Sequence, residues 1–140
     1  MFFVLDASVA LRWLADDGSA KDREYAKQVL RSILGTDVIP YVPSHWSMEI
    51  AHVLARSERK GVVTSDMSND FLNTLNAIEF ITDFETSSLA LTSVLDHARS
   101  YGLSSYDAAY LELALRLDCP LATLDKDLRS AAEKAGLKVL

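Results

Sequence analysis

The chain has 140 residues, of which 49% are hydrophobic and 24% charged, so we expect a single domain over residues 1–140. Its net charge of −6 argues against broad, nonspecific binding of nucleic acids, which relies on Lys and Arg. It does not exclude a nuclease, because buried acids lower the net charge by themselves. Cys119 is the only cysteine, which suits a reducing compartment and predicts a cytoplasmic location. No apolar run is long enough for a signal peptide or a membrane span.

Strands and helices are predicted to alternate along the chain. The first part contains a strand at 2–5, helices at 7–15 and 20–34 with Gly35 just beyond, a strand at 38–42, and helices at 45–60 and 64–77. Pro40 marks the second strand as interrupted or edge-like. The second part contains a strand at 79–82, helices at 86–101 and 104–117, a strand at 121–124, a helix at 126–136 and a strand at 138–140. This alternation predicts an α/β fold with a mainly parallel sheet and helices on both faces.

Two acids follow strands directly, on the side of the sheet where sites form. Asp6 follows the strand 2–5, and Asp125 follows the strand 121–124. Each has a structural alternative, since Asp is a good N-cap residue and a helix begins after each one. Asp107 fits the third helical position of a capping box with Ser104 as the N-cap. It also begins an inward-facing row at helical spacing, formed by Leu111, Ala114 and Leu115.

Glu49 lies in an apolar stripe of its predicted helix. Trp46, Ile50, Val53 and Leu54 define that stripe, and Glu49 is its i+3 member. A buried ionised Glu is costly unless it is paired or bound to a metal. The alternatives are that Glu49 lies at the edge of the stripe or pairs with Arg56.

These four acids can converge at only one place, the carboxyl edge of the sheet. Carboxylates that meet without a counter-charge repel one another, and Mg²⁺ or Mn²⁺ relieves that repulsion in all-oxygen sites. The pattern therefore predicts a Mg²⁺ or Mn²⁺ site. Such an ion implies an activated water and a phosphoryl substrate.

The motifs "VLDAS", "EIAHVL", "LSSYDAAYLELA" and "LATLDKDL" resemble, in order and spacing, those of PIN-domain nucleases, most of all VapC-like toxins of type II toxin–antitoxin modules. The resemblance spans essentially the whole chain. It implies a three-layer α/β/α sandwich and a Mg²⁺- or Mn²⁺-dependent endoribonuclease, with catalytic and metal-binding roles for Asp6, Glu49, Asp107 and Asp125. It also implies that Ser8 and Thr123 line the site, with Asp127 as an accessory acid. Two prolines before Glu49, in "IPYVPSHW", depart from the family pattern.

The resemblance further implies an RNA substrate, a cognate antitoxin whose tail covers the acidic site, and a homodimer. Arg12 and Lys126 follow site acids closely and are candidate RNA contacts. The alternatives are a PIN-like binding module that has lost catalysis and a haloacid-dehalogenase-like phosphatase. The phosphatase needs a second Asp two residues after the first, and Ser8 stands there. A response-regulator receiver would need a Lys after a late strand and an acid pair beside the first strand, and neither is present.

Overall fold

The computed structural model describes residues 1–35 and 38–140. Its elements are β1 (Phe2–Leu5), α1 (Ala7–Ala10), a 3-10 turn (Leu11–Trp13), α2 (Ala20–Gly35), β2 (Ile39–Pro43), α3 (Trp46–Arg59), α4 (Ser65–Asn76), β3 (Ile81–Asp83), α5 (Thr86–Leu89), a π-helical turn (Ala90–Val94), α6 (Leu95–Tyr101), α7 (Ser105–Leu117), β4 (Leu121–Ala122) and α8 (Lys126–Lys134). No helix in these ranges is long and apolar enough to cross a membrane.

The four described strands form one parallel sheet in the order β3-β2-β1-β4. Strand β1 is internal, and its Val4 pairs with Tyr41 on one side and with Leu121 on the other. Phe3, Val4 and Leu5 are buried, as expected for a parallel strand covered on both faces. The helices flank this sheet, so the predicted α/β/α fold with a short parallel sheet is confirmed.

Pro40 lies in an internal strand, so the prediction that it marks an edge strand is wrong. The amide of Ile39 donates to the Met1 carbonyl on the β1 side. Because successive backbone groups of a strand alternate in direction, the Pro40 nitrogen faces the β3 side, where pairing begins only at Tyr41. A proline at this position therefore costs the sheet no hydrogen bond.

Several predicted elements differ from the observed ones. The helix expected at 7–15 tightens into a 3-10 turn after Ala10, and the helix expected at 86–101 contains a π-helical turn at Ala90–Val94. Gly35 is the last residue of α2 rather than the residue beyond it. The strand expected at 138–140 is only a bridge between Val139 and Leu121, because the chain pairs there at one position.

Strand β4 ends at Ala122, two residues earlier than predicted. The next backbone amides are taken up by side chains instead of a neighbouring strand. The amide of Leu124 donates to Ser8 Oγ at 3.0 Å, and that of Asp125 donates to Thr123 Oγ1 at 3.0 Å. The hydrogen-bond ladder therefore stops where this hydroxyl network begins.

Arg116 of α7 joins that helix to the end of β3. Its guanidinium donates to both oxygens of Asp83, at 3.1 and 2.8 Å, and to both oxygens of the buried Glu112, at 2.9 and 3.2 Å. Asp83 Oδ2 also accepts hydrogen bonds from the amide and the hydroxyl of Thr86. Burial raises the pKa of Asp83, but the bonds from Arg116 and Thr86 outweigh it and the pKa is lowered overall. One arginine thus compensates the carboxylates of Asp83 and Glu112, and its Nη1 also lies 3.5 Å from Oε2 of the exposed Glu85.

Arg116→Met is expected to lower the free energy of unfolding by about 2 kcal/mol or more, because it leaves the Glu112 carboxylate buried without its partner. Urea unfolding measures the change. Adding Glu112→Gln to Arg116→Met should recover part of the loss. As a control, Arg99→Ala removes an exposed contact to Asp96 at 3.8 Å and should change the stability by less than about 0.5 kcal/mol. Equal losses for Arg116→Met and Arg99→Ala would contradict this role.

Candidate acidic active site

Asp6 is buried, with 3% of its surface exposed, at the carboxyl end of the internal strand β1. It stands at the N-cap position of α1, but its side chain makes no capping hydrogen bond. Its Oδ2 atom instead accepts hydrogen bonds from Ser8 Oγ and from Thr123 Oγ1, each at 2.6 Å. The capping alternative therefore does not account for Asp6.

The same two hydroxyls fix Asp6 to the segment that follows β4. Ser8 Oγ accepts from the Leu124 amide, and Thr123 Oγ1 accepts from the Asp125 amide. Thr123 is fully buried, so its hydroxyl has no access to bulk water. Two chain segments more than a hundred residues apart are thereby held together at the edge of the sheet. Both residues that the resemblance implies as site-lining, Ser8 and Thr123, thus contact the Asp6 carboxylate directly.

Burial raises the pKa of Asp6 to about 6. The hydrogen bonds from Ser8 and Thr123 oppose this rise, whereas the negative charge of Glu49 adds to it. The carboxyl thus lies in surroundings that favour its neutral form. Two hydroxyls stabilise the charged form, but they bring no positive charge to it.

Glu49 lies at the edge of the apolar stripe of α3, with a third of its side chain exposed. Trp46, Ile50 and Leu54 of that stripe are buried as predicted. Its Oε1 atom accepts a hydrogen bond from the buried Tyr110 hydroxyl at 3.0 Å and lies 2.8 Å from Nε2 of His45. The partner of Glu49 is therefore not Arg56.

His45 and Tyr110 are functional candidates that the sequence pattern did not single out. The His45 ring packs edge-on against Tyr110, with the ring centres 5.2 Å apart. Its Nε2 atom is buried and, among the described residues, has no well-aligned hydrogen bond, although Glu49 Oε1 is close. The contact between His45 and Glu49 had a signal in the sequence, because the two residues are four apart in one predicted helix. Tyr110 also had one, because it lies one helical turn after Asp107.

Asp107 and Asp125 belong to the starts of α7 and α8. Asp125 caps α8, since its Oδ1 accepts from the Leu128 amide at 2.8 Å. Asp107 donates its amide to Ser104 Oγ at 3.1 Å, so the predicted capping role of Ser104 is confirmed. Burial raises the pKa of Asp107, and the charges of Asp125 and Glu49 raise it further, while Ser104 and His45 oppose the rise. Asp125 thus serves as a cap and also acts on Asp107 through its charge.

The four predicted acids form one electrostatically connected group. The charge of Glu49 acts on Asp6 and on Asp107, and the charge of Asp125 acts on Asp107. In residues 1–35 and 38–140, no three His, Cys, Asp or Glu side chains are close enough to form a ready metal-ligand group. The donor chemistry nevertheless fits a hard divalent cation, because the group is made of carboxylate oxygens, and the charge of Glu49 raises the pKa of both Asp6 and Asp107.

The remaining predicted residues, Lys126, Arg12 and Asp127, make no direct side-chain contact with the four acids in the described part of the chain. Lys126 is the exposed first residue of α8, directly after Asp125. Arg12 forms an ion pair with Asp17, at 3.0 Å, in the loop that follows the 3-10 turn. Asp127 lines a separate cavity with Tyr101 and Lys134.

Comparison with known proteins agrees with this architecture. A family model for the PIN domain matches residues 3–134, and the chain belongs to the PIN domain family. No curated protein matches the chain.

Solved structures with the same fold include three proteins of low identity. PAE2754 from Pyrobaculum aerophilum is 19% identical, with a TM-score of 0.64, over 94% of this chain and 87% of the other. VapBC2 from Rickettsia felis, in a structure with a DNA fragment from its promoter, is 12% identical, with a TM-score of 0.67, over 100% of this chain and 98% of the other. FitAcB from Neisseria gonorrhoeae is 20% identical, with a TM-score of 0.59, over 100% of this chain and 96% of the other. At these identities the likeness extends to the fold alone.

The stability of the metal-free protein is expected to fall as the pH rises from about 4 to about 6. The pKa of Asp6 in the folded state, about 6, lies above its usual value of 3.8. The folded protein therefore binds the carboxyl proton more tightly than the unfolded chain does, and the stability that this provides is lost as the pH rises through this interval. The loss is about 3 kcal/mol by linkage. Asp6→Asn keeps an oxygen acceptor for both hydroxyls, and it should reduce this slope and be the more stable protein at pH 7.5.

Urea unfolding in EDTA at several pH values tests this expectation. Asp66→Asn removes an exposed acid from the first turn of α4 and controls for the loss of one negative charge. A wild-type slope that Asp6→Asn leaves unchanged would show that another group titrates.

Proposed function

We propose that this chain is a Mg²⁺- or Mn²⁺-dependent endoribonuclease that acts as the toxin of a type II toxin–antitoxin module. Membership of the PIN domain family supports a nuclease. The names of the structural neighbours VapBC2 and FitAcB are consistent with the resemblance to VapC-like toxins. The proposal adds the cation, the RNA substrate and the antitoxin partner to that family assignment.

The observation that carries the proposal is the uncompensated charge of Asp6. Its buried carboxylate accepts two hydroxyl hydrogen bonds, and no Lys or Arg in the described part of the chain forms an ion pair with it. Glu49 adds further negative charge. A stable fold that keeps such a group ionised needs a positive partner, and a divalent cation supplies one.

Asp6 and Asp107 are proposed to hold the cation, with Glu49 and Asp125 completing the site. When bound, the cation supplies positive charge for the phosphate oxygens and lowers the pKa of a water molecule. Ser8 and Thr123 hold the Asp6 carboxylate in one orientation through their 2.6 Å hydrogen bonds. His45 and Tyr110 both contact Oε1 of Glu49, and the other oxygen of Glu49 is proposed to orient a water.

The proposed protein partners follow from the charge of the site. A cognate antitoxin that places a basic residue among these carboxylates would supply the missing positive charge and exclude the substrate. The chain carries a net charge of −6, which favours a basic partner. Homodimerisation stays a prediction of the family resemblance.

Mn²⁺ at millimolar concentration is expected to raise the unfolding midpoint of the wild type, because a ligand that binds only the folded state stabilises it. Asp107→Asn should respond less. In EDTA this variant should be at least as stable as the wild type, since repulsion at the site is relieved. Asp66→Asn is the matched control, because both acids lie in the first turn of a helix with a Ser or Thr N-cap. Equal Mn²⁺ shifts in all three proteins would contradict the cation site.

The wild type is expected to cleave RNA with Mn²⁺ or Mg²⁺ and to be inactive in EDTA. Asp107→Asn should lose at least about 100-fold in rate, and Asp66→Asn should retain the wild-type rate. Gel analysis of a labelled RNA measures cleavage, and p-nitrophenyl phosphate tests for a phosphatase. Binding of RNA without cleavage in either metal would favour the inactive binding module instead.

A further inference from the structure

A cationic cleft lies beside the acidic group, between the N-terminal turn of α2 and the first turns of α8. Its volume is about 540 Å³. Three of its lining side chains are basic, namely Lys21, Lys126 and Arg129, and Asp22 is its only acidic one among the described residues. The cleft is thus positive in a chain whose net charge is −6.

The cleft is continuous with the acidic group. Thr123 and Leu124 line it, and these residues bond to Asp6 and Ser8 respectively. Tyr25 also lines the cleft. Burial raises the pKa of its hydroxyl, the positive charge of Arg129 lowers this pKa, and the negative charge of Asp6 raises it. The Tyr25 hydroxyl is thus within reach of a basic side chain of the cleft and of a carboxylate of the acidic group.

The cations of the cleft differ from most of the arginines of the chain. Arg12, Arg23 and Arg116 are engaged by carboxylates. In the described parts of the chain, Lys21 and Lys126 have no carboxylate within ion-pair distance. Arg129 makes one long contact, from Nη2 to a main-chain oxygen of Leu140 at 3.5 Å. The charges of the two lysines are therefore free to meet an anion from outside, and Arg129 is held by a single weak contact.

An acidic site that cleaves RNA has an electrostatic difficulty, since carboxylates repel the phosphates that must reach them. Unpaired cations next to the site offset this repulsion and hold phosphates beside it. A cleft set into the surface admits the backbone of a single strand more readily than the two paired backbones of a duplex. Both considerations favour single-stranded RNA over a duplex.

We infer that this cleft binds the phosphodiester backbone of single-stranded RNA next to the point of cleavage, with Lys21, Lys126 and Arg129 contacting successive phosphates. The inference rests on the proposed ribonuclease function and names the path of its substrate. To the expected RNA contact at Lys126 it adds Lys21 on α2 and Arg129 on α8. Arg12 is not needed for RNA binding in this assignment, because Asp17 already pairs with it.

The test measures the binding of a labelled single-stranded RNA of about 12 nucleotides to the full chain in EDTA, by fluorescence anisotropy at several KCl concentrations. Lys21→Gln, Lys126→Gln and Arg129→Gln should each raise the Kd about 3- to 10-fold and reduce the slope of log K against log salt by about 0.7. Lys27→Gln and Lys134→Gln make the same charge change on exposed parts of α2 and α8 outside the cleft, so they should bind as the wild type does. Unfolding midpoints of all variants verify the fold.

The outcomes separate the cleft from the ribonuclease function. If the wild type cleaves RNA with Mn²⁺ while the cleft variants bind as tightly as it does, the cleft assignment is wrong and the function stands. If the cleft variants lose RNA binding but the wild type never cleaves, the cleft assignment stands and the function is wrong. Absence of RNA binding by the wild type overturns the cleft assignment, and the cleavage assay with Mn²⁺ then decides the function separately. Tighter binding of an acidic peptide of similar length, lost in the same variants, would assign the cleft to a protein partner instead.

Discussion

The buried carboxylate of Asp6 is the constraint around which the candidate site is organised. An internal strand carries it to the sheet edge, and there it has two hydroxyl partners but no cationic side chain among the described residues. Burial of a carboxylate costs free energy unless its charge is matched. The hydroxyls of Ser8 and Thr123 fix its position without matching its charge. The fold thus sets a carboxylate in place and leaves its charge to be balanced from outside.

Asp83 shows what the same kind of position looks like when the chain balances the charge itself. Like Asp6, it ends a strand of the parallel sheet. Arg116 reaches both of its oxygens, and the pKa of Asp83 is lowered, whereas that of Asp6 is raised. The difference lies in the neighbouring side chain rather than in the strand. The pKa of a strand-end carboxylate in this sheet therefore follows its counter-charge, which makes Asp83 a useful internal comparison for Asp6.

The sequence predicted the parts of the site that depend on regular structure. Asp6 could be placed because the carboxyl ends of parallel strands meet at one edge, and Glu49 because helical spacing is regular. The partners of Glu49 could not be identified, since Tyr110 is 61 residues away and meets it only through the packing of α7 against α3. The early end of β4 was missed for a similar reason, because hydroxyls from distant residues replace the ladder there. The pairing of Arg12 with Asp17 depends on how the following loop folds back.

The contact between Thr123 and Asp6 spans 117 residues, and this has a consequence for the newly made chain. Asp6 leaves the ribosome early, but Asp107, Thr123 and Asp125 follow only after a delay on the order of ten seconds. Strand β2 is synthesised before β4, so the partner of β1 on the side away from these late residues becomes available first. A nascent chain carries the first acid without the others and has no assembled acidic site. Translation that stops before residue 121 yields a product without Thr123 and Asp125, and hence one in which Asp6 has lost one of its two hydroxyl partners and the acidic group is incomplete.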